Sequence, residues 1–146
     1  MTILDRTLTY RLHMLHKLSD RDSAVAYRGD AGLPLSEGRC LSAIGSFAPL
    51  SIVDLAQRAN LTKGQASRAA QSLVEQGLVR KAASTSDGRG VVLTLTRQGA
   101  ATFKRVMAVV ARRNEEIFGV LSSAELQQFG AMLDRLVDHA RPDADT

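Results

Sequence analysis

The sequence predicts a mainly α-helical protein that contains one small β-hairpin. Three observations support this fold class. Prolines are scarce, with only three in 146 residues, and long stretches contain no glycine, which favours helices. Apolar residues recur at intervals of three and four near both ends of the chain, which is the spacing of an amphipathic helix. In residues 91–96 the set Val91, Leu93 and Leu95 alternates with the set Val92, Thr94 and Thr96. This period of two, with many β-branched side chains, is typical of a strand.

The composition is that of one compact globular domain. The chain is 45% hydrophobic and 23% charged, which is enough apolar material for a core. No apolar run approaches the roughly 20 residues of a membrane span, and the first residues do not resemble a secretory signal. A single cysteine excludes an internal disulfide and fits a reducing compartment. We therefore expect a cytoplasmic protein with no membrane association.

The first two helices are predicted on either side of a break that contains glycine and proline. Residues 3–28 form the first helix, with leucines at positions 4, 8, 12, 15 and 18 on one face. The break is expected at 29–34. The second helix begins at Leu35 and turns Leu41 and Ile44 inward.

Two short capped helices follow. Ser51 is the predicted N-cap of the third helix, and Asp54 stands three residues later in a capping-box pattern. Thr62 and Gln65 have the same relation at the start of the fourth helix. Gly77 supplies its left-handed stop. The inner face of the fourth helix is predicted to consist of Ala66, Ala69, Ala70 and Leu73.

A hairpin comes next. Residues 78–82 are the first strand candidate, 84–90 are a polar tip that contains glycine, and 91–96 are the second strand. Two capped helices, a glycine stop and a hairpin in this order are the parts of a winged helix-turn-helix. That architecture points to a reader of duplex DNA rather than to an enzyme.

Two long helices complete the chain. Thr96 caps a helix from Arg97 to about Leu121, and Ser122 with Glu125 opens the last helix. Such helices carry more apolar surface than the small unit can cover, so the first helix and the last two are expected to pair with a second copy in a homodimer. The predicted segments, within one structural domain, are a dimerisation helix (1–34), the winged helix-turn-helix (35–98), the C-terminal dimerisation helices (99–141) and a tail (142–146).

Positive charge is concentrated in the middle of the chain. Lys and Arg outnumber Asp and Glu by eight to four in residues 34–99, by five to four in 1–33, and are outnumbered six to seven in 100–146. An excess of cations in the helix-turn-helix segment is the footprint expected of a protein that binds nucleic-acid phosphates.

The motifs of this segment resemble the MarR family (multiple antibiotic resistance regulator type) of bacterial transcription factors. Residues 87–99, DGRGVVLTLTRQG, are similar to the family's wing and the start of its long helix, and 63–68, KGQASR, to its fourth helix. The resemblance covers nearly the whole chain and is closest to the sub-branch that represses aromatic-acid catabolic operons. The chain departs from the family pattern at Ala66, where that sub-branch usually has valine, and at Gly38, where an aromatic residue usually stands.

The resemblance implies contacts with double-stranded DNA, made mainly by the fourth helix as the recognition helix. Glutamine can read adenine edges, and arginine or lysine can read guanine. By resemblance Arg89 enters the minor groove, and Asp87 orients a neighbouring arginine. Ser51 could hold a phosphate at a helix N-terminus. The predicted DNA-binding residues are Ser51, Thr62, Lys63, Gln65, Ser67, Arg68, Gln71 and Arg89, with Asp87 in its orienting role. The alternative for these residues is an ordinary solvated face and a polar hairpin tip.

An effector site is predicted from four further residues, Arg11, His13, His16 and Arg39. The two histidines share one face of the first helix. Family members bind phenolic or aromatic carboxylates in a cleft beside these helices, and an arginine fork matches a carboxylate. The resemblance therefore implies an aromatic carboxylate as the small-molecule effector.

Two other sensing chemistries remain as alternatives. No acids or cysteines accompany the histidines in a metal-binding pattern, so metal sensing is the weaker interpretation of them. Cys40 lies among apolar neighbours and has no second cysteine to resolve an oxidised form, which predicts a small buried hydrophobic residue rather than a redox sensor.

No catalytic motif is present. The sequence lacks a nucleophile elbow, a phosphate loop, an HExxH motif and a paired CxxC, so we expect no enzyme activity, no cofactor and no metal. The predicted function is a ligand-responsive repressor that binds a pseudo-palindromic operator as a homodimer. An activator, a redox- or metal-responsive regulator, and a winged-helix module that binds a protein partner are the alternatives left open.

Overall fold

The computed structural model describes residues 1–84 and 90–142 and confirms the mainly α-helical fold with one hairpin. A 3-10 turn at Leu4–Arg6 precedes the first helix. The elements are α1 (Leu8–Ala31), α2 (Leu35–Phe47), α3 (Ile52–Arg58), α4 (Lys63–Glu75), β1 (Val79–Ala83), β2 (Val91–Leu95), α5 (Arg97–Phe118) and α6 (Ser123–Ala140). The chain divides into two compact units, Met1–Ala111 and the residues from Arg112 onward.

The sequence predicts a helix over residues 3–28, whereas α1 spans Leu8–Ala31 and so both begins and ends later. The expected break at Gly29 was wrong, because the helix continues to Ala31 and ends at Gly32, whose φ of 69° is left-handed. An interior glycine weakens a helix by about 1 kcal/mol without breaking it, whereas a left-handed residue ends it. At the other end of the helix the Thr7 hydroxyl accepts the N–H of Tyr10. Helix α5 ends at Phe118, three residues before the predicted Leu121.

The predicted caps are present. At α4 the Thr62 hydroxyl accepts the Gln65 backbone N–H at 3.1 Å, and the side-chain Oε1 of Gln65 accepts the Thr62 N–H at 3.0 Å. Ser122 and Glu125 form the same reciprocal pair at α6. At α3 the Ser51 hydroxyl accepts the N–H of Asp54, which is the half of the predicted box that forms there. These contacts satisfy backbone donors that helix geometry leaves unpaired.

The core of the first unit is shared by helices and hairpin. Leu41 from α2, Leu55 from α3 and Leu73 from α4 are completely buried, and so is Leu93 from β2. Leu93 also forms a β-bridge with Leu50, the residue before the N-cap of α3. Burial of each such side chain contributes about 1.5–3 kcal/mol, so α4 and the hairpin are held against the same apolar centre.

The hairpin is antiparallel and pairs Val79 with Leu95 and Lys81 with Leu93. Its first strand begins one residue after the predicted start. Only Val79 of that strand is buried, and the four residues that follow it are exposed. Residues 85–89, which include most of the predicted tip, lie outside the described part of the chain.

The end of α4 is joined to the start of α5 by a compact junction. Gly77 has a φ of 76° and ends α4, as predicted. The Thr96 hydroxyl donates to the Gly77 carbonyl at 2.6 Å and accepts the Gly99 N–H at 3.0 Å. A Cβ atom added at Gly99 would lie 1.8 Å from the carbonyl oxygen of Leu78. Glycine is therefore required at position 99, because α5 approaches backbone and not a movable side chain.

Long apolar stripes on α1 and α6 are exposed in the part of the chain that the structure describes. The leucines of the predicted stripe at positions 4, 8, 12, 15 and 18 are 42% to 70% exposed. Helix α6 contains no buried residue, and Leu126, Leu133, Leu136 and Val137 on it are exposed. Within the second unit Phe118 contacts Phe129, with ring centroids 5.9 Å apart. None of the described helices combines the length and apolarity needed to cross a membrane.

We predict that Gly99→Ala destabilises the protein by about 1–3 kcal/mol or more, because its methyl group would overlap the Leu78 carbonyl oxygen. Urea denaturation at a fixed protein concentration measures this. Gly29→Ala is the control, because a Cβ at that helical position meets nothing within 4 Å and should raise stability by about 0.5–1 kcal/mol. Equal stability of Gly99→Ala and wild type would contradict the close approach.

Candidate DNA-binding face and effector site

The outer face of α4 carries the polar side chains that the sequence predicts as DNA contacts. Lys63, Gln65, Ser67, Arg68 and Gln71 are all exposed. The predicted inner residues Ala66, Ala69, Ala70 and Leu73 are all buried. A helix with a small apolar back and a polar front presents its hydrogen-bonding groups without burying any of them. This is the geometry that major-groove readout requires.

Several of these side chains already have a structural contact. The side-chain Oε1 of Gln65 accepts the Thr62 N–H in the cap of α4. The Nε2 group of the same side chain is left to donate a hydrogen bond to DNA. The hydroxyls of Thr62 and Ser51 are both used as N-caps. These three predicted DNA-binding residues therefore also fix where their helices begin.

Gln71 joins α4 to the hairpin. Its Oε1 accepts a hydrogen bond from Lys81 Nζ at 3.0 Å, and its Nε2 donates to Glu75 at 3.2 Å. Lys81 is exposed on β1 and adds a cation beside those of α4. Its neighbour Arg80 is also exposed, on the opposite face of the strand. Sequence analysis left Lys81 out of the predicted site, although its basic character beside a recognition helix is the signal that would have included it.

Asp87 and Arg89 lie outside the described residues. Their wing-tip roles therefore stay predictions.

Asp20 organises two of the predicted effector residues. Its Oδ1 accepts a hydrogen bond from Arg39 Nη2 at 2.5 Å, and its Oδ2 lies 3.2 Å from His16 Nε2. The Asp20 and Arg39 side chains are 28% and 30% exposed, so the pair is partly shielded from water. Sequence analysis missed Asp20. Its place one turn after His16 was the available signal.

The other two predicted effector residues are not joined to this cluster. Arg11 and His13 are exposed on α1, and Arg11 Nε donates to the Thr7 carbonyl at 3.4 Å. Within the described part of the chain no hydrogen bond or ion pair links either residue to Arg39. One copy of the chain thus brings together His16 and Arg39 but not all four residues.

A tyrosine from α1 occupies the space beside Gly38. The Tyr27 side chain is almost completely buried, and a Cβ at Gly38 would lie 2.5 Å from its ring. The Tyr27 ring thus occupies the space that a side chain at position 38 would need. Burial raises the pKa of Tyr27, an effect that nearby Arg39 opposes and Asp20 reinforces.

Cys40 is completely buried, as predicted. Burial, reinforced by the nearby Glu37 carboxylate, raises the pKa of its thiol from 9.0 to about 12. The thiol is therefore protonated near neutral pH and is a poor nucleophile. Across residues 1–84 and 90–142 there is no group of three or more histidine, cysteine, aspartate or glutamate side chains that could hold a metal ion.

An open cavity of about 330 Å³ lies between α2 and α4. Ser36 and Glu37 line it from α2, and Gln65, Arg68 and Ala69 line it from α4. Open space therefore separates Gln65 and Arg68 of the predicted reading face from α2.

A capped helix pair with an exposed polar second helix, followed by a hairpin and a long helix, defines a winged helix-turn-helix protein. The profile of the MarR family matches residues 31–90. The chain is 31% identical over 132 residues to the HTH-type transcriptional repressor Rv2887 of Mycobacterium tuberculosis, covering 90% of this chain and 94% of that protein. The chain therefore belongs to the MarR family, and it is a transcriptional regulator rather than an enzyme.

Solved structures support the same assignment. Rv2887 in complex with salicylic acid is 31% identical, covers 90% of this chain and 97% of its own, and superposes with a TM-score of 0.73. A MarR family regulator from Silicibacter pomeroyi gives a TM-score of 0.83 at 23% identity, covering 93% of this chain and 91% of that one. The second similarity concerns the fold alone.

We predict that native Cys40 reacts with iodoacetamide at pH 8 at least about a hundredfold more slowly than in the urea-unfolded chain, because the reactive thiolate is suppressed by its raised pKa. Mass spectrometry measures this directly, since the chain has one cysteine. The folded thiol holds its proton more tightly than the unfolded one. Its contribution to stability is therefore complete below pH 9 and is lost between 9.0 and about 12. Similar rates in the two states would contradict its burial.

Proposed function

We propose that this chain is a ligand-responsive transcriptional repressor that binds a pseudo-palindromic operator as a homodimer. The observation that carries the proposal is the outer face of α4, where five polar side chains are exposed over a buried alanine back. Lys63 and Arg68 supply positive charge for phosphates or guanine edges, and Ser67 and the Nε2 amide of Gln65 supply further hydrogen bonds. Arg89 extends the contact into the minor groove, oriented by Asp87.

The homodimer is supported by the uncovered apolar stripes of α1 and α6. A row of leucines that is 42% to 70% exposed in one chain is costly in water, and pairing with a second copy removes that cost. A two-fold axis then presents two α4 helices. Adjacent major grooves on one side of DNA are about 34 Å apart, so the dimer contacts determine whether both helices fit.

An aromatic carboxylate is the proposed effector class. The salicylate complex of the related Rv2887 repressor supports this class, and Arg39 offers the guanidinium that a carboxylate prefers. Arg39 is already paired with Asp20 through Nη2, and we propose that the incoming carboxylate takes the place of Asp20. His16, beside the same aspartate, is the second donor. Arg11 and His13 lie on the same helix and are proposed as outer residues of the site.

Release from DNA follows from differential binding. An effector that binds better to a dimer with another helix spacing shifts the population away from the DNA-binding state. A coupling of about 1–3 kcal/mol changes operator affinity by roughly 5- to 150-fold.

We predict nanomolar, salt-sensitive binding to the promoter DNA beside the protein's own gene, measured by fluorescence anisotropy. Arg68→Ala should weaken binding and reduce the salt slope by about 1 per subunit, because it removes an exposed cation of the reading face. Arg6→Ala is the control, since it removes the same charge outside the helix-turn-helix and should leave affinity nearly unchanged. Absence of binding at low salt would refute the DNA reader and turn attention to a protein partner.

We predict that Asp20→Asn binds salicylate about three- to tenfold more tightly than wild type, because the competing carboxylate on Arg39 is removed. Isothermal titration calorimetry measures the affinity. Asp22→Asn is the matched control, because it removes the same charge from the same helix, where Asp22 pairs with the adjacent Arg21. Weaker salicylate binding by Asp20→Asn would contradict the replacement of Asp20 by the effector carboxylate at Arg39. If neither the wild type nor either variant binds any member of a panel of aromatic acids, the effector class is refuted.

A further inference from the structure

We propose that Glu37 is a positioning residue that fixes α4 along its axis and thereby sets operator specificity. The inference rests on the proposed DNA binding by α4. Glu37 itself belongs to α2 and is not among the predicted DNA contacts.

One carboxylate oxygen holds the last turn of α4. Glu37 Oε1 accepts hydrogen bonds from Gln76 Nε2 at 2.7 Å and from Ser72 Oγ at 3.0 Å. Gln76 Nε2 also contacts the carbonyl and the hydroxyl oxygens of Ser72, so the three side chains form one connected group. Charge-assisted hydrogen bonds are shorter and stronger than neutral ones and depend on direction.

The inner face of α4 gives this contact its importance. Three of its four buried residues, at positions 66, 69 and 70, are alanines. Helices normally fix their relative positions by inserting large side chains as ridges into the neighbour's grooves. Methyl groups make shallow ridges, so packing alone opposes a small slide of α4 only weakly. The cavity beside Gln65 and Arg68 removes a further lateral contact with α2. Directional bonds at the helix end supply the missing restraint.

The turn of α2 that carries Glu37 is itself fixed to α1. The Tyr27 ring packs on Gly38, and Arg39 pairs with Asp20. Through Glu37, α4 is therefore connected by α2 to α1, which lies in the proposed dimer interface. A shift of α4 by a fraction of a turn would move every outward side chain relative to the base edges.

The negative charge of Glu37 allows a positioning role to be distinguished from a purely electrostatic effect on DNA affinity. A carboxylate near a DNA-reading helix repels phosphates, so removing its charge should strengthen binding to every duplex alike. Loss of positioning should weaken binding only where side chains must meet particular bases, because phosphate contacts carry no sequence information.

The test compares Glu37→Gln with wild type on two duplexes, one enriched from random DNA by the wild-type protein and a scrambled duplex of equal length. We expect Glu37→Gln, whose amide oxygen accepts only weaker neutral hydrogen bonds, to lose about three- to tenfold in affinity for the enriched duplex, with affinity for the scrambled duplex unchanged or higher. Asp54→Asn is the charge-matched control. It lies on α3, its side chain is exposed, and it should shift both affinities in parallel.

Ser72→Ala provides a second variant that changes no charge. It removes one of the two donors to Glu37 and should lower the ratio of enriched to scrambled affinity in the same direction by a smaller factor, so a folding failure of Glu37→Gln does not prevent the test. Parallel shifts on both duplexes in Glu37→Gln, or an unchanged ratio in Ser72→Ala, would overturn the positioning role while leaving DNA binding intact. Failure of the wild-type protein to enrich any duplex would refute the proposed function and this inference together.

Discussion

The arrangement of this protein depends on the close packing of the alanine face of α4 against the helices behind it. Ala66, Ala69 and Ala70 are buried because small side chains let α4 approach α2 and α3 closely. With the apolar positions confined to that side, the larger polar side chains point away from the core. The Thr62–Gln65 capping box then fixes the residue at which the helix starts. The same packing makes the helix accessible to DNA and leaves its axial position weakly restrained.

Hydrogen bonds at the C-terminal end of α4 compensate for this weak restraint. At the C-terminal end, Glu37 holds Ser72 and Gln76, and Thr96 holds the carbonyl of Gly77. The first contact connects α4 with α2 and the second connects it with α5. The proposed reading face is thus positioned by polar contacts of its last turn, while its apolar contacts supply most of the stabilisation.

The ion pair between Asp20 and Arg39 gives the proposed effector a physical means of action. A protein carboxylate already satisfies the arginine, so an effector carboxylate replaces one charge-assisted contact by another and does not need to neutralise an isolated charge. Arg39 lies two residues from Glu37 on the same helix. Exchange at Arg39 would act on the turn that restrains α4, and the proposed effector site would then be linked to the proposed reading face through one short segment of α2.

Features that depend on local rules were predictable from the order of the residues. The caps at Ser51 and Thr62, the buried face of α4 and the left-handed stop at Gly77 each follow from residue type and helical period, and the sequence motifs indicated the family. The tertiary structure alone decided the contacts between distant residues. Arg39 meets Asp20 across 19 positions, and Glu37 meets Ser72 across 35. The Tyr27 ring fills the space beside Gly38, 11 positions further along the chain. Local propensity cannot specify such pairs, because they depend on how whole helices pack and not on the spacing of residues along any one of them.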